Sequence, residues 1–486
     1  MTAAPVKRGG GQVWLLSAAG FAFLWVIARA SRQAVTIDEA DTYNAWIANP
    51  AQNHWAAHAN NHILNTGLMR LFTELFGVSP FTIRIPALIG AAIYIAACCW
   101  LCRAIARERI LHIPLFLCLV YNPFVMDHLV AARGYSMAAG FFLTGLAVVI
   151  AKRSLGSCAL FSVCMGLSFV ANFSFGFAAA AAVLVVAIRA WRSEGSLKTA
   201  AACALPAPAI ALALASSTLL HWKAGQFNYG ATSLRETFAG IAQASLYEVN
   251  PFLVPPHLYP VFQELGSWVL PLLGAAVLVR LVALLRVRPL RLEKLGPFAG
   301  LALLFGGILL VAVGAHRLAY RLFHLLMPLE RTGLFLVPLI VLAIGALAAV
   351  PLHSRLGRIS RAALSASLCL LSVYFLSCLR LTYFKTWHWN ADSDKVYAAL
   401  EHCNRAYGIT DIAVEWRYAG VLNFYRREPL PLFKREFPPF PEDKQAYVLN
   451  VFEPEERAFI AAHRLKVVYS NPFTHSVIAV RPELVK

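Results

Sequence analysis

The chain has 486 residues, of which 59% are hydrophobic and only 14% charged. Soluble domains carry about 25% charged residues, so a soluble globular protein is excluded, and the composition equally excludes a disordered chain, a coiled coil and a disulfide scaffold. The net charge of +18 would suit nucleic-acid binding, but residues 380–486 hold fifteen basic and thirteen acidic side chains, leaving +16 on residues 1–379. There the basic residues fall between apolar runs, the charge signature of cytoplasmic links between membrane helices.

Apolar runs lie at 12–30, 82–102, 110–126, 134–151, 155–172, 174–189, 199–220, 266–285, 296–313, 332–350 and 362–379. A crossing takes about 20 apolar residues, so the chain is predicted to be an α-helical polytopic membrane protein with eleven helices in residues 1–379. If Lys7 and Arg8 are cytoplasmic, so are the links holding Arg103/Arg107/Arg109, Lys152/Arg153, Arg189/Arg192/Lys198, Arg286/Arg288/Arg291/Lys294 and Arg355/Arg358/Arg361. Nine of the twelve acids before residue 380 fall on the other face. This predicts a cytoplasmic N-terminus and an extracytoplasmic tail. A bacterial inner membrane is the expected location, because the outer loops lack paired cysteines and no retention signal ends the chain. Lys7-Arg8, the first apolar run and Ala28-Arg29-Ala30 also fit a cleavable signal peptide. The run's length and aromatic content favour a retained helix.

Residues 380–486 read as a small α/β domain. Asp392–Tyr407 alternates like an amphipathic helix closed by Gly408. Strands are predicted at Ile412–Trp416, Ala446–Val451, Lys466–Tyr469 and Val477–Val480, a second helix at Pro454–Arg464, and a loop at the Pro-rich stretch 437–441. Of the ten cysteines, only Cys403 lies well inside this polar tail. Cys98, Cys99 and Cys102 read as small apolar residues of a membrane helix rather than metal ligands.

The chemistry concentrates in the first outer loop, residues 31–81. It opens with Thr36-Ile37-Asp38-Glu39-Ala40-Asp41, three carboxylates in four positions just past a membrane helix. Such a cluster can act as a general base or bind a cation, and it equally fits an acidic turn capping the next helix. His54, His58 and His62 follow at spacings of four, which puts them on one face of any helix. They fit a metal site or polar interfacial side chains. Outer arginines are few: Arg84, Arg133 before Gly134-Tyr135, and Arg317, Arg321 and Arg331 in the stretch 315–331. A guanidinium grips a phosphate through two parallel hydrogen bonds, and it can instead snorkel to the membrane surface.

Asp38-Glu39-Ala40-Asp41-Thr42-Tyr43, Asn60-Asn61-His62-Ile63-Leu64-Asn65, Phe81-Thr82-Ile83-Arg84-Ile85-Pro86-Ala87-Leu88 and Ala132-Arg133-Gly134-Tyr135-Ser136 resemble stretches of the GT-C superfamily. These are integral-membrane glycosyltransferases using polyprenyl-phosphate sugars. The likeness is to the branch of protein O-mannosyltransferases and the lipid A aminoarabinose transferase. It covers residues 30–140, with Pro328-Leu329-Glu330-Arg331-Thr332-Gly333 as a later echo. The His-Pro-Pro of several members is here His62-Ile63-Leu64, and no Trp-Trp-Asp acceptor motif is present.

The resemblance implies that Asp38 is the general base, with Glu39 orienting it or the acceptor. It implies sugar or acceptor contacts from Asp41, His62 and Asp127, and lipid-phosphate contacts from Arg84, Arg133, Tyr135, Arg317 and Arg331. A divalent cation is allowed for, with His58 and His62 as candidate ligands. The expected partners are a polyprenyl-phosphate-linked sugar donor, an envelope glycan, lipid or protein acceptor, and membrane lipids, but no nucleic acid. The expected reaction is inverting transfer of one sugar to an acceptor hydroxyl. A transporter or flippase for a lipid-linked or anionic substrate is the alternative, with a membrane scaffold behind it. A transporter predicts charges near helix middles or repeated halves, whereas here most charges sit near helix ends. Arg280, inside the eighth run, is expected to snorkel.

Overall fold

The computed structural model describes residues 11–49, 58–106, 109–223, 226, 229–286 and 296–485. Lys7, Arg8, His54, Arg107, Arg288, Arg291 and Lys294 lie outside the described residues. In chain order the helices are α1 (Gly11–Arg32), α2 (Ile37–Trp46), α3 (Ile63–Phe76), α4 (Ile85–Ile105), α5 (Arg109–Val120), α6 (Pro123–Val130), α7 (Tyr135–Ala151) and α8 (Leu155–Ala171). There follow α9 (Gly176–Glu194), α10 (Leu197–Ala204), α11 (Pro206–Leu220), α12 (Leu234–Ser245), α13 (Tyr259–Leu285), α14 (Gly296–Phe323), α15 (Leu336–Ala349) and α16 (Arg355–Ser377).

All eleven apolar runs fall on helices, but they differ in reach. Seven helical stretches among the described residues are long and apolar enough to cross a membrane, and α5 with α6 makes an eighth if this pair, bent by 50°, counts as one span. The bend has a local cause. Pro123 brings no amide hydrogen, and Asn122 caps the new helix by accepting the amides of Phe124 (3.0 Å) and Val125 (3.3 Å). The runs on α7, α8 and α15 form shorter apolar helices of 17, 17 and 14 residues, so seven or eight of the eleven predicted helices have the full length of a crossing. α1 is integral to the bundle. Its Leu15, Ala22, Val26 and Ala30 are buried in the main core, and Arg29 is 2% exposed.

The bundle core is aromatic and small-residue in alternation, with Tyr94, Phe116, Phe142, Phe175 and Phe335 all buried. α4 and α7 cross at Gly90 and Gly140. A Cβ on Gly140 would stand 2.9 Å from the Gly90 carbonyl oxygen, so two bare backbones are what let these helices meet.

Arg280 does not snorkel. It is fully buried, and its guanidinium donates to the carbonyl oxygens of Leu347 (3.2 Å), Ala348 (3.3 Å), Val350 and Gly357 (2.6 Å) and to Ser360 Oγ (3.3 Å). The last carbonyls of a helix have no partner within it and carry its negative dipole end. Arg280 supplies the missing donors for α15 from α13.

The tail folds around a five-stranded mixed sheet of order β2-β1-β3-β5-β4. Its strands are β1 (Ile412–Glu415), β2 (Arg435–Glu436), β3 (Ala446–Asn450), β4 (Lys466–Ser470) and β5 (Ser476–Val480). β1 is parallel to β2 and β3, while β5 is antiparallel to β3 and β4. α17 (Ser393–Tyr407) ends on Gly408 at φ +68°, as its sequence predicted. α18 (Trp416–Tyr425) and α19 (Pro454–Ala462) complete the tail. Trp416, expected to end a strand, instead opens α18, because Glu415 Oε2 accepts the Arg417 amide (3.0 Å) and caps a helix there.

Glu415 and Glu456, 1% and 2% exposed, share Arg417, which approaches them at 2.8 Å and 3.9 Å. Burial pushes their pKa values up to about 7 and about 8 despite Arg417. A carboxyl whose pKa is higher folded than unfolded binds more protons when folded, so stability falls as pH rises between the two values. Hydrogen exchange in β1 and β3 of the full-length protein is therefore expected to quicken, beyond intrinsic base catalysis, from pH 5 to pH 8. Protection independent of pH over that window would refute the assignment.

Candidate active site

α2 starts with a reciprocal cap. Thr36 Oγ1 accepts the Glu39 amide (3.3 Å), and Glu39 Oε2 accepts the Thr36 amide (2.9 Å). A helix turns about 100° per residue, so the adjacent acids Asp38 and Glu39 face different surroundings. The first-loop carboxylates thus divide into a buried structural acid and a partly exposed one.

Glu39 turns inward and is fully buried. Its Oε1 accepts Arg84 Nε (2.8 Å) and the Ala132 amide (2.9 Å), and its Oε2 accepts Arg84 Nη2 (2.7 Å). Burial works to raise its pKa, but the Arg84 charge and hydrogen bonds with the Thr36 and Ala132 amides win and hold it below the ordinary carboxylate range. Arg84 spends its other donors on the carbonyl oxygens of Ala30 (3.1 Å), Gln33 (2.7 Å) and Ala34 (2.8 Å). All five of its N–H groups are used and it is fully buried, so the expectation that Arg84 grips a lipid phosphate is corrected. It ties α1, α2 and α4 together. Glu39 accordingly acts as the partner of Arg84 and not as a contact to an acceptor.

Arg133 also bonds to protein through both terminal nitrogens, while its Nε has no partner. Its Nη1 donates to the Asp38 carbonyl oxygen (3.3 Å) and Thr42 Oγ1 (2.6 Å), and its Nη2 to Asn60 Oδ1. It is 2% exposed and is corrected from phosphate ligand to a brace between α2 and residues 58–62. The brace turns at Gly134, whose φ of +73° and contact with the Ala171 carbonyl leave no room for a side chain. Asp127, expected near the sugar, is corrected too: it is 2% exposed, pairs with Arg29, and accepts the Tyr247 hydroxyl and the Lys385 amide (3.0 Å). Arg317 lies on α14, not in a loop, over the Tyr320 ring at 5.5 Å, and is not among the residues lining the cavity described next. Asp41 turns to the tail, pairing with Arg435.

Asp38 turns the other way. Its carboxylate meets Arg331 Nη1 at 3.2 Å, the two side chains being 18% and 24% exposed. Arg331 sits in the 3-10 turn Glu330–Gly333, over the rings of Tyr229 (4.6 Å) and Trp387 (5.8 Å). Burial opposes its charge, but Asp38, helped by Tyr135, Tyr229 and Glu330, holds its pKa above the ordinary value. Arg331 lines a cavity of about 690 Å³. The cavity lies where one set of helix ends converges: Tyr135 opens α7, Phe169 closes α8, Phe177 begins α9, Trp222 follows α11, and Leu325 and Leu326 follow α14. Its polar wall has His58, Asn60, His62, Asn172, Gln226 and Arg331. Its other wall is aromatic and aliphatic.

His62 and Tyr135, both singled out from sequence, meet there with ring centroids 5.9 Å apart. His62 is 5% exposed and neither ring nitrogen has a hydrogen-bond partner. Burial, then the charges of Arg133 and Arg331, push its pKa well below the ordinary imidazole value, so it is neutral at pH 7. Among the described residues no three His, Cys, Asp or Glu side chains gather to hold a metal ion. His58 Nδ1 instead accepts the Asn60 amide (3.1 Å). Sequence reasoning missed Asn172, Trp222, Gln226 and Tyr229. Only Asn172 left a signal, as the polar break between two apolar runs.

The molecule is thus a polytopic helical membrane protein with a cavity at one end of the bundle and a C-terminal mixed-sheet domain that rests on α2 through α18. It is similar to the crystal structure of ArnT from Cupriavidus metallidurans bound to undecaprenyl phosphate, with 14% identity, 96% of this chain and 97% of that chain covered, and a TM-score of 0.45. The arabinosyltransferase EmbB from Mycobacterium smegmatis gives 15%, 81%, 44% and 0.41 for the same four measures. The Archaeoglobus fulgidus oligosaccharyltransferase in complex with Zn and sulfate gives 12%, 84%, 61% and 0.39. No protein-family model and no curated protein sequence matches the chain.

Proposed function

We propose that the protein is an inverting glycosyltransferase that moves a single sugar from a polyprenyl-phosphate carrier to an acceptor hydroxyl on the extracytoplasmic face of the membrane. The observation that carries this reading is Arg331, a guanidinium lining a large cavity while ion-paired with the carboxylate of Asp38. A carrier phosphate exchanges with Asp38 as the partner of Arg331, which frees the carboxylate beside the cavity. Asp38 then takes the proton of the acceptor hydroxyl. The acceptor oxygen bonds to the anomeric carbon as the bond from that carbon to the phosphate oxygen breaks, and the electron pair leaves with the phosphate. Arg331 meets the charge that grows there, a fixed cation aimed at a developing anion. One positioned base contributes about 10²–10⁴-fold.

The reading is tested by mass spectrometry of envelope glycans and polyprenyl lipids from a deletion strain and its complemented derivative. The expected result is loss of one sugar from an envelope glycan, lipid or protein, with accumulation of its polyprenyl-phosphate form and restoration by wild type. Unchanged glycans and carrier lipids would reject the transferase in favour of a transporter.

A further inference from the structure

Two neighbouring carboxylates meet their arginines in different ways. Glu39 and Arg84 close on each other through side-chain hydrogen bonds of 2.8 and 2.7 Å. Asp38 and Arg331 do not. Arg331 Nη1 stands 3.2 Å from Asp38 Oδ2, yet Oδ2 is buried without a hydrogen-bond partner. A hydrogen bond needs its N–H aimed at the acceptor as well as near it. The guanidinium is thus close to the carboxylate but turned off it.

Two aromatic rings hold it there. Arg331 lies over the faces of Tyr229 and Trp387 at 4.6 and 5.8 Å, both within reach of a cation–π contact. Neither ring is loose. The Tyr229 hydroxyl donates to Glu330 Oε2 (2.8 Å), and Glu330, next to Arg331, takes a φ of +44°, a conformation uncommon outside glycine. Two residues past Tyr229, Ala231 exchanges both backbone hydrogen bonds with Met327 (2.7 and 2.9 Å). That bridge lays Tyr229 along the segment that carries Arg331. Trp387 is 2% exposed and packs on the rings of His128 (5.9 Å) and Phe384 (5.7 Å).

We propose that Tyr229 and Trp387 are positioning residues whose rings keep the Arg331 guanidinium turned off the Asp38 carboxylate. The ion pair then parts readily when a phosphate enters the cavity, and Asp38 is left open to take a proton. This rests on the transferase reading and explains how its base is kept available.

The test is native mass spectrometry of the full-length protein in lipid nanodiscs, titrated with undecaprenyl phosphate. Tyr229 is 41% exposed, so Tyr229→Leu removes the ring and spares the core. Arg331 can then close on Asp38, and undecaprenyl phosphate is expected to bind about fivefold more weakly, a cation–π contact's worth. Tyr229→Phe, which keeps the ring, is expected to recover most of that loss. In an Asp38→Asn background no carboxylate remains to close on, and Tyr229→Leu is expected to cost less than about twofold. Trp387→Leu, read beside Trp387→Phe, is expected to show the same dependence on Asp38. Equal losses with and without the Asp38 carboxylate overturn the positioning role, as does a Tyr229→Leu protein that binds as tightly as wild type. A Tyr229→Phe protein no better than Tyr229→Leu overturns it too. Failure of undecaprenyl phosphate to bind wild type rejects the transferase reading, and the role of the rings falls with it.

Discussion

Asp38→Asn is expected to lower sugar transfer by about 10²–10⁴-fold while the protein still folds. Asparagine matches aspartate in shape, so α2 and its cap keep their geometry, and the change removes the ability to take a proton. The ion pair with Arg331 is also lost, but both side chains are partly exposed. Such pairs contribute about 0–1 kcal/mol, too little to unfold the bundle. Complementation of the deletion strain by Asp38→Asn, with expression and melting behaviour measured on the same preparations, decides the matter. Restoration as complete as by wild type would remove Asp38 from the chemistry.

The second large effect is on stability and falls on a residue whose sequence suggested chemistry. Arg84→Met leaves the Glu39 carboxylate buried at 0% exposure without its cation. Removing one partner of a buried pair costs about 3–5 kcal/mol, and here three backbone carbonyls lose their donor as well. Replacing both residues, Arg84→Met with Glu39→Leu, is expected to recover much of the loss, because no unpaired charge remains. Because the folded pKa of Glu39 is depressed, the stability it contributes is present above its unfolded value and drains away as pH falls through the folded one. Thermal melting of the purified protein in detergent reads all three effects. A single mutant that melts within a degree of wild type would mean that Arg84 is not the tie described.

The architecture was largely legible because both of its signals are strong. Apolar runs and basic links marked the long helices of the bundle but not α2, α3 or α12, and strand patterning marked four of the five strands. β2 is two residues long and its partner strand is parallel, so neither pattern nor a hairpin turn could announce it. The site was legible by residue type and less so by role. Asp38 and Arg331, 293 positions apart in the chain, were both singled out, yet nothing in their flanking residues says that they touch. Conversely, Glu39, Arg84, Arg133 and Asp127 carry charges that looked available. Each is instead consumed by partners from distant segments, and charge satisfaction is a property of the fold and not of a spacing. Arg280 gave the same lesson, since its partners are the carbonyl ends of another helix.

The tail's grip on the first loop bears on when the site comes into being. Asn390 Oδ1 accepts the Ile37 amide (2.9 Å), the Tyr425 hydroxyl accepts the Val35 amide (3.0 Å), Asn44 donates to the Gly420 carbonyl (2.8 Å), and Arg435 pairs with Asp41. These contacts bracket Asp38 on both sides, and every tail residue in them comes from the last hundred positions of the chain. A protein made and inserted from its N-terminus therefore carries Asp38 through the membrane stage of assembly with the surrounding loop unfinished. The loop is clamped only when Asn390, α18 and β2 arrive. A chain that holds the whole bundle but lacks residues 390–435 presents no finished loop, so the loop around Asp38 is completed by a part of the chain made after the bundle.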